Sequence, residues 1–286
     1  NLFRTVKVRT VNCIICNLNC HKTADKEIFY CKDCKHFSYI PETLNHNSSF
    51  NHEALSDSLL KIRKKNAHLI YKKFQNITNL NKKYVEVGAG KGYLISQFLS
   101  NAISCTAIDM DDTFERELTE KGIDFVHLLD HEIKDLSMYE CFLSSHFLEH
   151  IQNPDQFLKL LNRSNVEYLV IEVPTNDGVI FKLSKILNKI GLTAPWDRMF
   201  QKESNSPHFQ YFSNKSMHVL FQNNDYQVVD RLKLPLVEKV PNFKRISATE
   251  SNLVSFFIAI ALPLLDMLNR LLATSDVVVY FAKLHK

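Results

Sequence analysis

Glycine is scarce in this chain, with six in 286 residues, and tryptophan occurs once. No internal repeat or low-complexity segment is present, which excludes a repeat array and a glycine-rich linker architecture. Charge of one sign is not in excess: 35 Lys and Arg face 31 Asp and Glu, for a net charge of +4. A nucleic-acid binder usually gathers a stronger basic field on one face. The densest basic cluster, Lys61, Arg63, Lys64 and Lys65 with Lys72 and Lys73 beyond, reads as the solvated face of a helix. Long apolar runs are also missing. The longest uncharged one, Leu253 to Leu265, is broken by Pro263 and followed by Asp266 and Arg270. It falls short of the roughly 20 residues a membrane span needs. Residues 1–12 mix basic and polar side chains, so no signal peptide is expected there, and a cytoplasmic location is expected. What remains, 45% hydrophobic and 23% charged residues, is ordinary for a globular protein.

Cysteine is present and unevenly spread. Five of the seven lie between Cys13 and Cys34, while Cys105 and Cys141 sit in apolar runs and read as buried thiols. Cys13-x-x-Cys16 and Cys31-x-x-Cys34 are separated by 14 residues. Two such pairs read as a zinc ribbon, each on a tight knuckle, with four thiolates closing a tetrahedron around a structural Zn²⁺. The metal would replace a core that some 40 residues cannot build alone. Cys20 and His21, between the pairs, read as bystanders.

Residues 50–230 alternate helical and strand patterns with short connections. A helix is expected over 53–75, followed by strands at 83–87, 104–108, 125–129, 140–144, 168–173, 226–230 and 277–281. Helices are expected at 93–99, 114–121, 154–161 and 213–222, the third capped by Asn153. This alternation predicts an α/β fold, a doubly wound, Rossmann-like seven-stranded sheet with a small zinc ribbon before it, divided into residues 1–45 and 46–286. Ligands of such sheets sit beyond the carboxyl ends of the strands. There the chain places Glu86-Val87-Gly88-Ala89-Gly90-Lys91-Gly92, Asp109, Asp130-His131, Ser145-His146 and Pro174-Thr175. Half of the chain's glycines fall at 88, 90 and 92, where the backbone can turn tightly and approach a ligand. Asp109 follows Gly92 by 17 residues, at the end of the next strand, where an acid can take the hydroxyls of a ribose. The spacing G-x-G-x-G, opened by the acid Glu86, suits a positively charged ligand such as S-adenosylmethionine (SAM) better than a pyrophosphate.

These motifs, together with Ser145-His146-Phe147-Leu148-Glu149-His150, Asn153-Pro154 and Pro207-His208-Phe209-Gln210-Tyr211-Phe212-Ser213, resemble the class I SAM-dependent methyltransferases, especially the group with an LEH motif after the fourth strand. The resemblance covers roughly residues 50–286. It implies that Glu86, Gly88, Ala89, Gly90 and Gly92 hold the amino-acid part of SAM and that Asp109 holds the ribose, with Met110 beside it in the cofactor-binding set. It further implies that Asp130 and His131 flank the adenine and that Ser145 and His146 close the site near the reacting methyl. A hydroxyl acceptor needs a base, and histidine is the natural group near neutral pH. His146, His208 and His150 are the candidates.

The expected acceptor is a small molecule, a sugar, nucleotide sugar or surface-polysaccharide building block, by analogy with sugar methyltransferases that carry a similar Cys-rich amino-terminal segment. An RNA methyltransferase that reads RNA through the ribbon and a non-catalytic interaction module are the competing readings. Residues 178–206 form an insertion, an amphipathic helix and then a loop with Pro195, Trp196, Arg198 and Met199. It reads either as a lid over the acceptor or as an ordinary covering helix. The apolar helix over 253–272 is expected to pack on the sheet, with a homodimer contact or a membrane-surface contact as the alternatives.

Overall fold

A computed structural model describes residues 11–42, 57–236 and 252–285. Parts of the expected ribbon module and of the 53–75 helix therefore lie outside the described residues, as do the side chains of Leu253 to Ile260. The first strands are short: β1 (Val11–Asn12), β2 (Asn19–Lys22), β3 (Ile28–Cys31) and β4 (Phe37–Tyr39). They form an antiparallel sheet in the order β1-β2-β3-β4, and β10 (Gln210–Tyr211) adds to its edge.

The larger sheet begins after helix α1 (Asp57–Phe74), with β5 (Lys83–Val87) and β6 (Ser104–Asp109). Helix α2 (Glu115–Glu120), β7 (Asp124–His127), β8 (Cys141–Ser145), α3 (Pro154–Arg163) and β9 (Tyr168–Pro174) follow. The insertion comes next as α4 (Val179–Lys189) and α5 (Ala194–Phe200), and then β10. Helix α6 (Asn214–Gln222), β11 (Tyr226–Lys233), α7 (Asn252–Leu271) and β12 (Val277–Leu284) complete the chain. The sheet has seven strands in the order β11-β12-β9-β8-β5-β6-β7. The five from β5 to β9 are parallel, and β12 returns antiparallel to both β9 and β11.

The inner parallel strands are largely apolar on both faces because both faces are covered, whereas β7 at the edge is mostly exposed. Tyr84, Cys105, Leu143, Val170 and Phe281 point into one core with Phe74 of α1 and Phe98. Val85, Ile108, Phe142, Ile171 and Tyr280 point into the other with Leu158 of α3 and Leu220 of α6. The period of two along each strand thus sorts the sheet between two cores. A third cluster joins the insertion to the small sheet: Phe181, Trp196 and Phe200 pack with Ile28, Phe37 and Tyr39.

The structure departs from the sequence-based expectations in three places. The helix expected at 93–99 is a single 3-10 turn, Ile95–Gln97. The Ile95 amide is taken by the Glu86 carboxylate at 3.0 Å and the Ser96 hydroxyl bonds back to the Gly92 carbonyl, so this short segment carries little helical bonding of its own. The loop expected around Trp196 is helix α5, with Pro195 in its first turn. In the described part of α7 the polarity is inverted: Leu264, Met267, Leu268 and Leu271 face solvent while Asp266 and Asn269 are buried. Among the described residues no helix is long and apolar enough to cross a membrane.

Asp276, just ahead of β12, fixes where α4 begins. Its carboxylate accepts the amides of Ile180 (3.0 Å) and Phe181 (3.2 Å) and the Asn269 side-chain amide (2.6 Å). Residue 178 is Gly because a β-carbon there would lie 2.1 Å from the Asp276 carboxylate. Asp276→Ala is expected to leave these helix-start amides unpaired and to lower stability by about 1–3 kcal/mol, read from urea unfolding midpoints.

Candidate active site

The candidate site lies at the carboxyl ends of β5, β6, β8 and β9. Gly88, Gly90 and Gly92 all have positive φ, at 70°, 48° and 61°. At Gly88 and Gly92 close approach adds to this. A β-carbon on residue 88 would lie 2.8 Å from the Phe147 ring, and one on residue 92 would lie 2.4 Å from Leu118. Asp109 ends β6 and holds the loop from the side, its carboxylate accepting the Gly90 amide at 2.7 Å and the Asp111 amide at 3.0 Å. Glu86 is buried within β5, where its carboxylate braces the turn at Ile95.

Burial pushes the Glu86 carboxyl up to about 8, against the pull of the Ile95 amide and with further lift from Glu172 and Asp109. Ala89 is buried in the loop, whereas Met110 is exposed just past Asp109. Asp130 and His131 fall in a 3-10 turn beyond β7 and are exposed, with their side chains 3.5 Å apart.

At the end of β8, His146 takes a left-handed backbone, φ 54°, a conformation costly for a residue with a β-carbon. It persists because its amide donates to the Glu172 carbonyl (3.1 Å) and its ring is held by two acids. His146 Nδ1 lies 3.2 Å from Glu149 and Nε2 lies 3.5 Å from Glu172. Burial disfavours the charged imidazole, but Glu172 and Glu149 outweigh it and raise the pKa of His146. Glu149 is fully buried, which disfavours its charge; the His146 contact outweighs this and brings its pKa down to about 2. Ser145 donates to the other oxygen of Glu172 at 2.5 Å.

The three candidate histidines are brought close, though in different settings. His150 Nδ1 donates to the Pro207 carbonyl at 3.0 Å, anchoring the strap that leads to β10. His208, on that strap, is buried rather than exposed, and burial pushes its pKa down to about 3. Its ring centroid lies 4.8 Å from that of His150. Glu172 is the group the sequence reasoning missed. Its signal is an acid inside the otherwise apolar strand Tyr168–Pro174, a place where a lone charge is rarely left unpaired.

Cys13, Cys16, Cys31 and Cys34 converge, their sulfurs all within 4.8 Å of one another. The closest pairs, Cys13 with Cys34 and Cys16 with Cys31, are 3.5 Å apart. Each knuckle is followed by a left-handed residue, Asn17 at φ 60° and Lys35 at φ 63°, so the two turns repeat one shape. A tetrahedral zinc–thiolate centre with Zn–S near ~2.3 Å sets its sulfurs ~3.8 Å apart, so the four thiols fit such an ion. Cys20 is outside this group of four. The knuckles are hydrogen-bonded to residues after β9 and on either side of α6: Ser213 donates to the Cys34 carbonyl (2.7 Å), Asn176 to the Lys35 carbonyl (2.8 Å) and Asn223 to the Ile15 carbonyl (2.9 Å).

A glycine loop with an acid at the next strand end, below a seven-stranded sheet whose last-formed strand runs antiparallel, defines a class I SAM-dependent methyltransferase. The chain belongs to this class: residues 52–231 match the family model described as a methyltransferase domain. Solved structures share the fold. The YcgJ protein of Bacillus subtilis aligns at 11% identity over 78% of this chain and 99% of its own, with a TM-score of 0.53. Magnesium protoporphyrin IX methyltransferase of Synechocystis, solved with bound S-adenosylhomocysteine (SAH), aligns at 8% identity over 83% of this chain and 90% of its own, with a TM-score of 0.51. No curated protein sequence matches the chain.

The buried Glu86 gives a pH signature. Its folded pKa of about 8 lies above its ordinary value of 4.5, so its contribution to stability is full below the lower value and is lost as the pH rises to the upper one. Glu86→Gln, which stays neutral, is expected to match the wild type in urea unfolding near pH 4.5 and to become progressively more stable than it towards about pH 8.

Proposed function

We propose that the protein transfers the methyl group of SAM to a hydroxyl of a small anionic acceptor, a sugar or nucleotide-linked sugar used to build surface polysaccharide, with His146 as the base. The observation that carries this reading is the setting of His146: a strained, part-exposed imidazole at a strand end, flanked by Glu149 and Glu172. SAM supplies an electrophilic methyl carbon and leaves as SAH when its carbon–sulfur bond breaks. As the acceptor oxygen bonds to that carbon, its proton passes to Nε2 of His146, and the two carboxylates stabilise the imidazolium formed. Glu86, Gly88, Ala89, Gly90, Gly92, Asp109 and Met110 hold the methionine and ribose parts of SAM. Asp130 and His131 flank its adenine, and Ser145 lines the reacting end.

The acceptor class rests on the resemblance to sugar methyltransferases; a cleft of about 350 Å³ between the small sheet and α4, lined by Lys22, Lys32, Lys185 and Lys189 with Tyr30 and Phe37, shares no residue with the strand-end site. On this reading residues 1–45 are a module built on a structural Zn²⁺ held by Cys13, Cys16, Cys31 and Cys34, and residues 46–286 are the transferase.

Turnover of SAM to SAH against a panel of nucleotide sugars, with RNA beside it, tests the proposal. SAH release with a nucleotide sugar is expected. His146→Ala is expected to lower kcat by about 10²–10⁴-fold while SAM binding is kept. Turnover with RNA alone, or an unchanged kcat in the variant, contradicts it.

A further inference from the structure

Beside His146, three side chains from two distant segments point at one another. Glu149 and His150 come from the 3-10 turn Leu148–His150, and His208 comes from the strap before β10. One ligand-capable atom from each lies within 4.8 Å of the others. Two of these groups have buried atoms with no partner, Oε2 of Glu149 and Nδ1 of His208. The residues are 0% and 8% exposed, so water does not substitute freely. Unpaired buried polar atoms are uncommon, and two facing one space point to an absent third party.

The hydrogen bonds around the trio select a proton arrangement. His150 Nδ1 faces the Pro207 carbonyl at 3.0 Å. With the Nδ1 proton given to that carbonyl, and the Ser206 hydroxyl also 3.0 Å from Nδ1, Nε2 keeps a lone pair for a metal. The His150 ring is thus held from behind by main chain, the outer support that metal-binding histidines commonly have. The His208 ring is buried with its Nδ1 unpartnered. Glu149 keeps Oε1 on His146 at 3.2 Å, which leaves its buried Oε2 without a partner.

We propose that Glu149, His150 and His208 form a second zinc site, separate from the four cysteines. Two imidazoles and a carboxylate suit Zn²⁺, and three protein ligands leave a fourth position open to an oxygen donor. His150 is only partly buried, which gives the ion a way in. This assignment makes His150 and His208 ligands rather than bases and leaves the base role to His146.

Zinc content per chain, measured on the full-length protein after dialysis, tests the site. The wild type is expected to hold about two zinc ions, Cys13→Ser about one, and His150→Ala and His208→Ala about one each. X-ray absorption of the zinc-loaded wild type needs no variant. Nitrogen or oxygen scatterers at about 2.0–2.1 Å are expected beside sulfur at about 2.3 Å. A folded His150→Ala, still binding SAH, with as much zinc as the wild type overturns the proposal, as does a shell of sulfur alone.

Discussion

The close approach of the glycine loop to the turn after β8 is the contact on which the site depends. The Phe147 ring occupies the space that any side chain at position 88 would need, at 2.8 Å from its β-carbon. Two neighbouring strand ends are thereby locked together, with Glu86 and Asp109 on one side and His146 and Glu149 on the other. The ring also packs on Phe157 of α3, centroids 5.4 Å apart, so the contact is tied to the core rather than to the surface. Gly88 carries this geometry twice, through the missing β-carbon and through its positive φ.

A second dependence runs from the cysteines to the histidines. The small sheet takes its edge strand from Gln210–Tyr211, two residues after His208. The Gln210 side chain bridges the two parts: it meets His36 of the small sheet at 2.8 Å and donates to the carbonyl of Gln152 at 3.0 Å. Tyr39 donates its amide to the Phe209 carbonyl at 2.8 Å. The position of His208 is therefore tied to a sheet whose two knuckles bring four thiols together. Metal on the cysteines would rigidify the strap as well as the ribbon. The cysteine segment meets the strap through the backbone pairing of β4 with β10.

The sheet was legible in the sequence because its signals are local and redundant. Strands such as Val85–Val87 and Tyr168–Val173 are apolar runs interrupted by a single acid and ended by glycine or proline, and all seven strands of the large sheet form with their ends within a few residues of expectation. The knuckles were legible by spacing alone. The misses have physical causes. Pro195 was read as a loop signal, although proline in the first turn starts a helix as readily as it ends one. The face of α7 could not be read from composition, because Asp266 and Asn269 turn inward to partners far along the chain, among them the Val179 amide, 90 residues away from Asn269. Glu172 and His208 acquire their settings only through tertiary contacts, and no local pattern around either residue states its partner.

The central claim is that the loop at 86–92 and Asp109 form a SAM site. Calorimetric titration of the purified protein with SAM and SAH, beside Asp109→Ala, tests it most directly. Asp109 also props the loop through the Gly90 amide, so the variant is compared once its folding is confirmed by circular dichroism. Binding of both ligands by the wild type, weakened at least about tenfold in the variant, a loss of about 1.4 kcal/mol, is the predicted result. A folded wild type that takes up neither ligand, or an Asp109→Ala protein that binds both as tightly, would contradict it.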